Sequence, residues 1–130
     1  MPQVARIMWA MKHLMILALL AATPAAAFQS QNNMHVTPDG PSGFEVSYRG
    51  GRAGVSDFWC AAGDYVVRGL NRPGDTKIYR TTSVPRRAGE DMRFSLSPEG
   101  AKPTGILTLF GRSDNVTAAR ARFMCEIRRR

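Results

Sequence analysis

The sequence has 130 residues and a formal net charge of +8 at pH 7, from 18 lysines and arginines against ten acidic residues. This length suits one modest domain and excludes an arrangement of several domains. Only two cysteines and two histidines occur, which disfavours metal sites built from several such side chains and hydrolysis by a Ser- or Cys-based triad.

The first 27 residues follow the order of a cleavable secretory signal. Lys12 precedes an apolar run at 14–22, and three alanines stand at 25–27. The run is roughly half of the about 20 residues that a membrane-spanning helix needs. We therefore predict a signal peptide over 1–27, a single mature domain over 28–130 and a periplasmic or secreted location. Membrane contact is expected only through the signal peptide during export.

The translation start has two candidates. A signal that begins at Met11 is already complete, because a basic residue and the apolar run follow it directly. Starting at Met1 adds ten residues that export does not need. The sequence favours Met11 and leaves both starts open.

The charge that remains after the signal suggests an anionic partner. Residues 28–130 hold 16 basic and ten acidic side chains, a net charge of +6. Lipid head groups, lipopolysaccharide phosphates or another anionic envelope surface would attract such a domain, and so would an unknown protein with an acidic face. A merely soluble, basic surface is the simpler interpretation. Nucleic acid is not expected, since export removes the usual targets and no binding motif occurs.

The first half of the mature chain predicts two strands and a helix. Alternation of apolar and polar residues predicts strands at 34–37 and 44–48, separated by a proline and glycine turn. Ser56 or Asp57 can cap a helix that runs to about residue 68 and is closed by Gly69. On this helix Asp64 stands four residues before Arg68, which predicts an ordinary surface ion pair.

The second half predicts a sheet followed by a terminal helix. Alternating runs at 76–80, 92–96 and 105–110 are separated by turns, and short links favour antiparallel pairing. From Asn115 apolar residues recur at helical spacing, which predicts a helix whose apolar face lies on the sheet: Val116, Ala119, Phe123 and Ile127. Alternation over 123–127 leaves a terminal strand open. The fold class is α+β, with a small antiparallel sheet of three to five strands, one or two packed helices and one disulfide.

Cys60 and Cys125 are predicted to form that disulfide. They lie 65 positions apart, so the bridge closes most of the mature chain. Export to an oxidising compartment favours it. The spacing is unlike that of zinc ligands or of a redox Cys-x-x-Cys motif.

The segment DFWCAAGDYV at 57–66, followed by one later cysteine, resembles small exported proteins of unknown function from alphaproteobacteria. The resemblance implies a periplasmic or secreted setting. It transfers no catalytic residue, because none is known for that group.

Glycines at 50–54, between a strand and a helix start, have the position of an anion-binding loop, with Arg49 and Arg52 beside them. The full phosphate-loop and dinucleotide patterns are missing, so a flexible turn is the simpler interpretation. His35, the one histidine after the signal, is expected to be an exposed strand residue.

Asp57 and Asp64 are the carboxylates that would support catalysis. Seven positions apart on one helix, they could act as acid and base in a small carboxylate-dependent hydrolase of the cell envelope. Capping of the helix by Asp57 and pairing of Asp64 with Arg68 explain both residues more simply.

Arg86 and Arg87 are the candidate anion-binding residues. They follow a proline in the loop between two predicted strands, and paired guanidinium groups can hold phosphate or carboxylate. A basic hairpin loop without a ligand is the simpler interpretation.

We predict no catalytic, cofactor-binding or metal-binding residues and no cofactor. The function favoured by the sequence is that of a non-enzymatic binding or interaction protein, with the hydrolase as the alternative. A structural subunit or an inhibitor of a secreted enzyme stays open.

Overall fold

The computed structural model describes residues 27–106 and 113–127, which form six β-strands and two α-helices. The strands are β1 Phe28–Gln29, β2 His35–Asp39, β3 Gly43–Val46, β4 Lys77–Arg80, β5 Met92–Ser95 and β6 Asn115–Thr117. The helices are α1 Val55–Asp64, extended by a π-helical turn Tyr65–Gly69, and α2 Ala118–Ile127.

The strands form one antiparallel sheet in the order β1-β2-β3-β5-β4-β6. The register places Phe44 opposite Phe94 on the face that packs against the helices. This confirms the α+β class, the antiparallel pairing, the packed helices and the disulfide. The prediction of three to five strands was wrong, because the sheet has six.

The additional strands lie at the two edges of the sheet and are short. β1 has two residues, with Phe28 opposite Val36, and β6 has three, with Val116 opposite Ile78. Runs this short carry no alternation that could reveal a strand. The strand predicted at 105–110 is not seen at 105 and 106, and its remaining residues lie outside the described part of the chain.

The predicted helix α1 is confirmed. Its N-cap residue differs from the predicted one, and its last turn is wider than an α-helical turn. Gly54 is the N-cap, and Asp57 reaches back from inside the first turn to accept the Gly54 N–H at 2.7 Å. The last turn widens to the π form and ends at Gly69, as predicted. A Cβ on Gly69 would lie 2.8 Å from the ring of Tyr65, so a larger residue there would force that ring to shift.

Helix α2 packs on α1 through small side chains. Cys60 and Cys125 are bonded, with Cα atoms 4.9 Å apart. Gly63 lies against Ala118 and Ala121, so the two helices run antiparallel and very close together. The predicted terminal helix is confirmed, although it begins at Ala118 because 115–117 form β6. The alternative of a terminal strand over 123–127 was wrong, since those residues are helical.

The predicted apolar face of α2 was wrong. The buried residues of α2 are Ala118, Ala121 and Cys125, whereas Phe123 and Ile127 are 60% and 62% exposed. The disulfide and the close contact at Gly63 fix the rotation of the helix. The two largest apolar side chains consequently face outward.

The core lies between the helices and the inner face of the sheet. Trp59 is fully buried, meets Phe94 edge to face at 4.8 Å and donates its indole N–H to the Thr104 carbonyl at 3.0 Å. Among the residues described, no helix is both long enough and apolar enough to span a membrane.

Candidate functional site

The loop at 81–91 carries the predicted anion-binding residues, and its two adjacent arginines have different environments. The Arg86 guanidinium lies over the ring of Phe58 at 4.6 Å and that of Tyr48 at 5.5 Å. It donates to the carbonyl of Ala53 at 3.0 Å and to that of Glu90 at 2.6 Å. Arg86 therefore ties the loop to the start of α1.

Arg80 anchors the first part of the same loop from the interior of the protein. Its side chain is fully buried and donates to the carbonyls of Thr82 and Ser83, each at 3.0 Å, and of Thr104 at 3.4 Å. No ion pair joins it to an acidic residue within the described ranges. Burial lowers the pKa of this guanidinium, and the charge of Arg86 lowers it further.

Sequence reasoning missed Arg80, although strand alternation held the necessary signal. Arg80 and Ile78 are two positions apart in β4, so their side chains leave the sheet on the same face. Ile78 belongs to the core, and Arg80 follows it inward.

Arg87 is the member of the pair that remains exposed. It lines a shallow groove of about 730 Å³ on the side of the sheet opposite the core, together with Glu45, Asp91 and Arg93. Arg93 donates to Glu45 at 2.9 Å across that face. The groove is mixed in charge, and Arg87 lines it whereas Arg86 is bound to backbone carbonyls.

The glycine-rich loop before α1 is a turn whose anion position is filled by the protein itself. Gly50 and Gly51 have φ values of +90° and +75°, which favour glycine. The Asp57 carboxylate occupies the helix N-terminus and accepts the Gly54 N–H. A cleft of about 370 Å³ lies beside this turn and includes Arg49 in its wall.

Asp64 pairs with Arg68 as predicted. The prediction that this pair lies at the surface was wrong for Asp64, because its carboxylate is fully buried. Arg68 donates to both carboxylate oxygens, the Gln31 backbone N–H donates at 2.9 Å, and the Arg122 Nε lies 3.5 Å away. Burial raises the pKa of Asp64, but these hydrogen bonds and the two arginine charges outweigh burial and hold it below its ordinary value. Asp64 thus joins α1, α2 and the β1–β2 connection.

These contacts assign structural roles to the two carboxylates that suggested catalysis. Asp57 caps the first turn of α1, and Asp64 is the last residue of the same helix, where it joins α1 to its neighbours. His35 pairs with Gln29 in the sheet and is half-buried rather than exposed; its Nδ1 has no hydrogen-bond partner among the described residues. Within residues 27–106 and 113–127, no group of three or more histidine, cysteine or acidic side chains is placed to hold a metal ion.

The surface charge is distributed unevenly along the chain. Residues 27–106 and 113–127 contain twelve basic and ten acidic side chains, a net charge of +2. Arg112 and the three arginines at 128–130 supply the other four positive charges of residues 28–130. The sequence thus concentrates its excess charge just after α2, whose exposed surface carries Phe123 and Ile127.

Comparisons with known proteins give no family for this chain. It matches no protein-family model, no curated protein and no solved structure.

Proposed function

We propose that this protein is an exported, periplasmic or secreted domain that binds an anionic surface of the cell envelope without catalysing a reaction. One observation carries the proposal: several cationic side chains are exposed and form no ion pair with an acid in the described part of the chain. They are Arg49, Arg72, Arg87 and Arg120. An anionic surface would pair with these cationic side chains and would be attracted by the net charge of +6 over residues 28–130.

Export is supported by the signal-like order of residues 1–27 and by the disulfide. A disulfide suits an oxidising compartment, and closing a long loop stabilises a domain that has one modest core. The resemblance of 57–66 to small exported alphaproteobacterial proteins agrees with this location.

The alternative of a carboxylate-dependent hydrolase gains no observation in its favour. Its two carboxylates lie at opposite ends of α1, about 10 Å apart along the axis at 1.5 Å per residue. The Asp57 carboxylate is engaged by the Gly54 N–H, and the Asp64 carboxylate is fully buried beneath two arginines. Neither is left to activate a substrate.

Vesicle binding tests the proposal. The exported protein, with its processed N-terminus read by mass spectrometry, is sedimented with vesicles of phosphatidylcholine alone or of equal parts phosphatidylcholine and phosphatidylglycerol. We expect binding to the anionic vesicles only, weakening as salt is raised, because salt screens the attraction of exposed charges. Equal binding to both vesicles, or binding that ignores salt, would contradict the proposal.

Matched arginine variants identify the charges that bind. Arg87→Ala combined with Arg120→Ala removes two exposed, uncompensated charges, and we expect about a fivefold loss of affinity for each. Arg93→Ala removes an arginine that is also exposed but is paired with Glu45. We expect this control to bind nearly as wild type; equal losses in the control and in each test position would show that only overall charge matters.

A further inference from the structure

Helix α2 exposes two large apolar side chains, which a helix that only covers a core would bury. Its fully buried residues are small, Ala118, Ala121 and Cys125, and Met124 packs partly against the core, but Phe123 and Ile127 point to solvent. Phe123 and Ile127 are four positions apart, so they form one continuous stripe along the outer side of the helix. They are the two most exposed large apolar residues of the described chain.

Basic residues accompany this stripe in the sequence. Arg120 is exposed, lies one turn before Phe123 and has no ion-pair partner in the described part of the protein. Three further arginines follow Ile127 directly in the sequence. Glu126 is the one acidic residue of α2. An apolar stripe bordered by arginines is typical of helices that lie in the surface of an anionic membrane.

A second copy of the chain fits this surface poorly. Two partly exposed side chains offer far less area than the about 800 Å² per partner of a stable protein interface. Pairing two such helices would also bring their arginines together, which costs energy unless acids lie between them. A phospholipid bilayer instead supplies an apolar interior for the stripe and phosphates for the arginines.

We infer that the outer face of α2, formed by Phe123, Ile127 and Arg120, docks on an anionic phospholipid bilayer. The helix lies in the plane of the surface, with both apolar side chains entering the boundary between head groups and acyl chains. The disulfide at Cys125 and the contact at Gly63 hold the helix ready-formed, so docking does not pay the entropy of folding a helix.

This inference rests on the proposed function and gives it a site and a partner. It also extends membrane contact beyond the signal peptide, to which the sequence had confined it. The apolar stripe supplies a contribution that salt does not screen, whereas the arginines supply the preference for anionic lipid.

The test substitutes the apolar stripe and leaves every charge in place. Phe123→Ala with Ile127→Ala removes two exposed side chains and raises helix propensity, so the variant folds. Leu70→Ala, at a residue that is 38% exposed and lies outside α2, is the matched control. With vesicles of equal parts phosphatidylcholine and phosphatidylglycerol, we expect the double variant to bind at least about tenfold more weakly and the control to bind as wild type.

The outcomes separate the inference from the proposed function. If the double variant binds as wild type while Arg87→Ala, which lies outside α2, binds weakly, the docking face is wrong and the proposed function stands. If wild type does not bind the anionic vesicles, both fail. If sedimentation velocity shows a dimer that the double variant abolishes, and vesicles do not bind, the stripe is an interface between copies and the inference is overturned.

Discussion

Gly63 of α1 lies so close to Ala121 of α2 that a methyl group added to Gly63 would stand 2.7 Å from the Ala121 Cβ. The same methyl would meet the backbone N of Arg122 at 2.7 Å. This contact and the disulfide together set the rotation of α2. The direction in which Phe123 points is therefore a consequence of one glycine in the other helix.

Gly63→Ala should destabilise the protein, although alanine is the better helix former. The added Cβ forces α2 away from α1, and such overpacking costs about 1 to 3 kcal/mol. Gly54→Ala is the control, since a Cβ there meets only the Asp57 carboxylate, at 3.8 Å. We expect that control to lose less than about 1 kcal/mol in urea unfolding. Equal stability of Gly63→Ala and wild type would show that the helices are not in close contact.

Removing the disulfide should lower stability by a larger amount. The bridge closes 65 residues, and the chain-entropy model assigns such a loop about 4 kcal/mol. Cys60→Ser with Cys125→Ser, compared with the oxidised wild type in urea, measures the loss. An unchanged unfolding midpoint would mean that the bridge does not stabilise the fold.

Substitution of the two adjacent arginines of the 81–91 loop should change the stability of the fold by different amounts. Arg86→Ala removes hydrogen bonds to backbone carbonyls and a cation–π contact with Phe58, so we expect a loss of about 1 to 2 kcal/mol. Arg87→Ala removes an exposed side chain and should change the free energy of unfolding by less than about 0.5 kcal/mol. Thermal unfolding of both variants tests this, and a reversed order would contradict the contacts described for the loop.

Asp64 should make stability depend on acid pH. Because its pKa is lowered in the folded protein, its contribution is complete above the unfolded value of 3.8 and disappears as the pH falls through the lower folded value. Asp64→Asn removes a buried negative charge that two partly exposed arginines bind, and should lose about 2 kcal/mol near neutral pH. Urea unfolding of both proteins between neutral pH and pH about 2 should show the difference shrinking with acid. A constant difference would contradict the ionised, arginine-bound carboxylate.

Much of the fold could be predicted because its signals are local. Alternation locates β2 to β5, and the cap and glycine signals locate α1 within two residues. The number of cysteines, with the oxidising compartment that the signal-like sequence predicts, was enough to pair Cys60 with Cys125. These features depend on neighbours in the sequence, which periodicity and composition record.

The parts that could not be predicted depend on contacts between distant residues. Periodicity assigns large apolar side chains to the core, and α2 breaks that rule because Gly63 admits only small residues opposite it. Arg86 is half-buried and bound to the carbonyls of Ala53 and Glu90, and no local sequence pattern encodes that meeting. For the same reason we expected from the sequence that Arg86 and Arg87 act together, whereas in the structure their side chains have different environments.

The docking of α2 can be measured most directly with a fluorescent residue in the stripe. Trp59, the tryptophan of the described residues, is fully buried, so a second tryptophan in Phe123→Trp reports on the outer face. On adding vesicles of equal parts phosphatidylcholine and phosphatidylglycerol, we expect the variant's emission to shift to the blue and to be quenched by brominated acyl chains, with wild type unchanged. Bound protein in which the tryptophan at 123 neither shifts nor is quenched would contradict docking through α2.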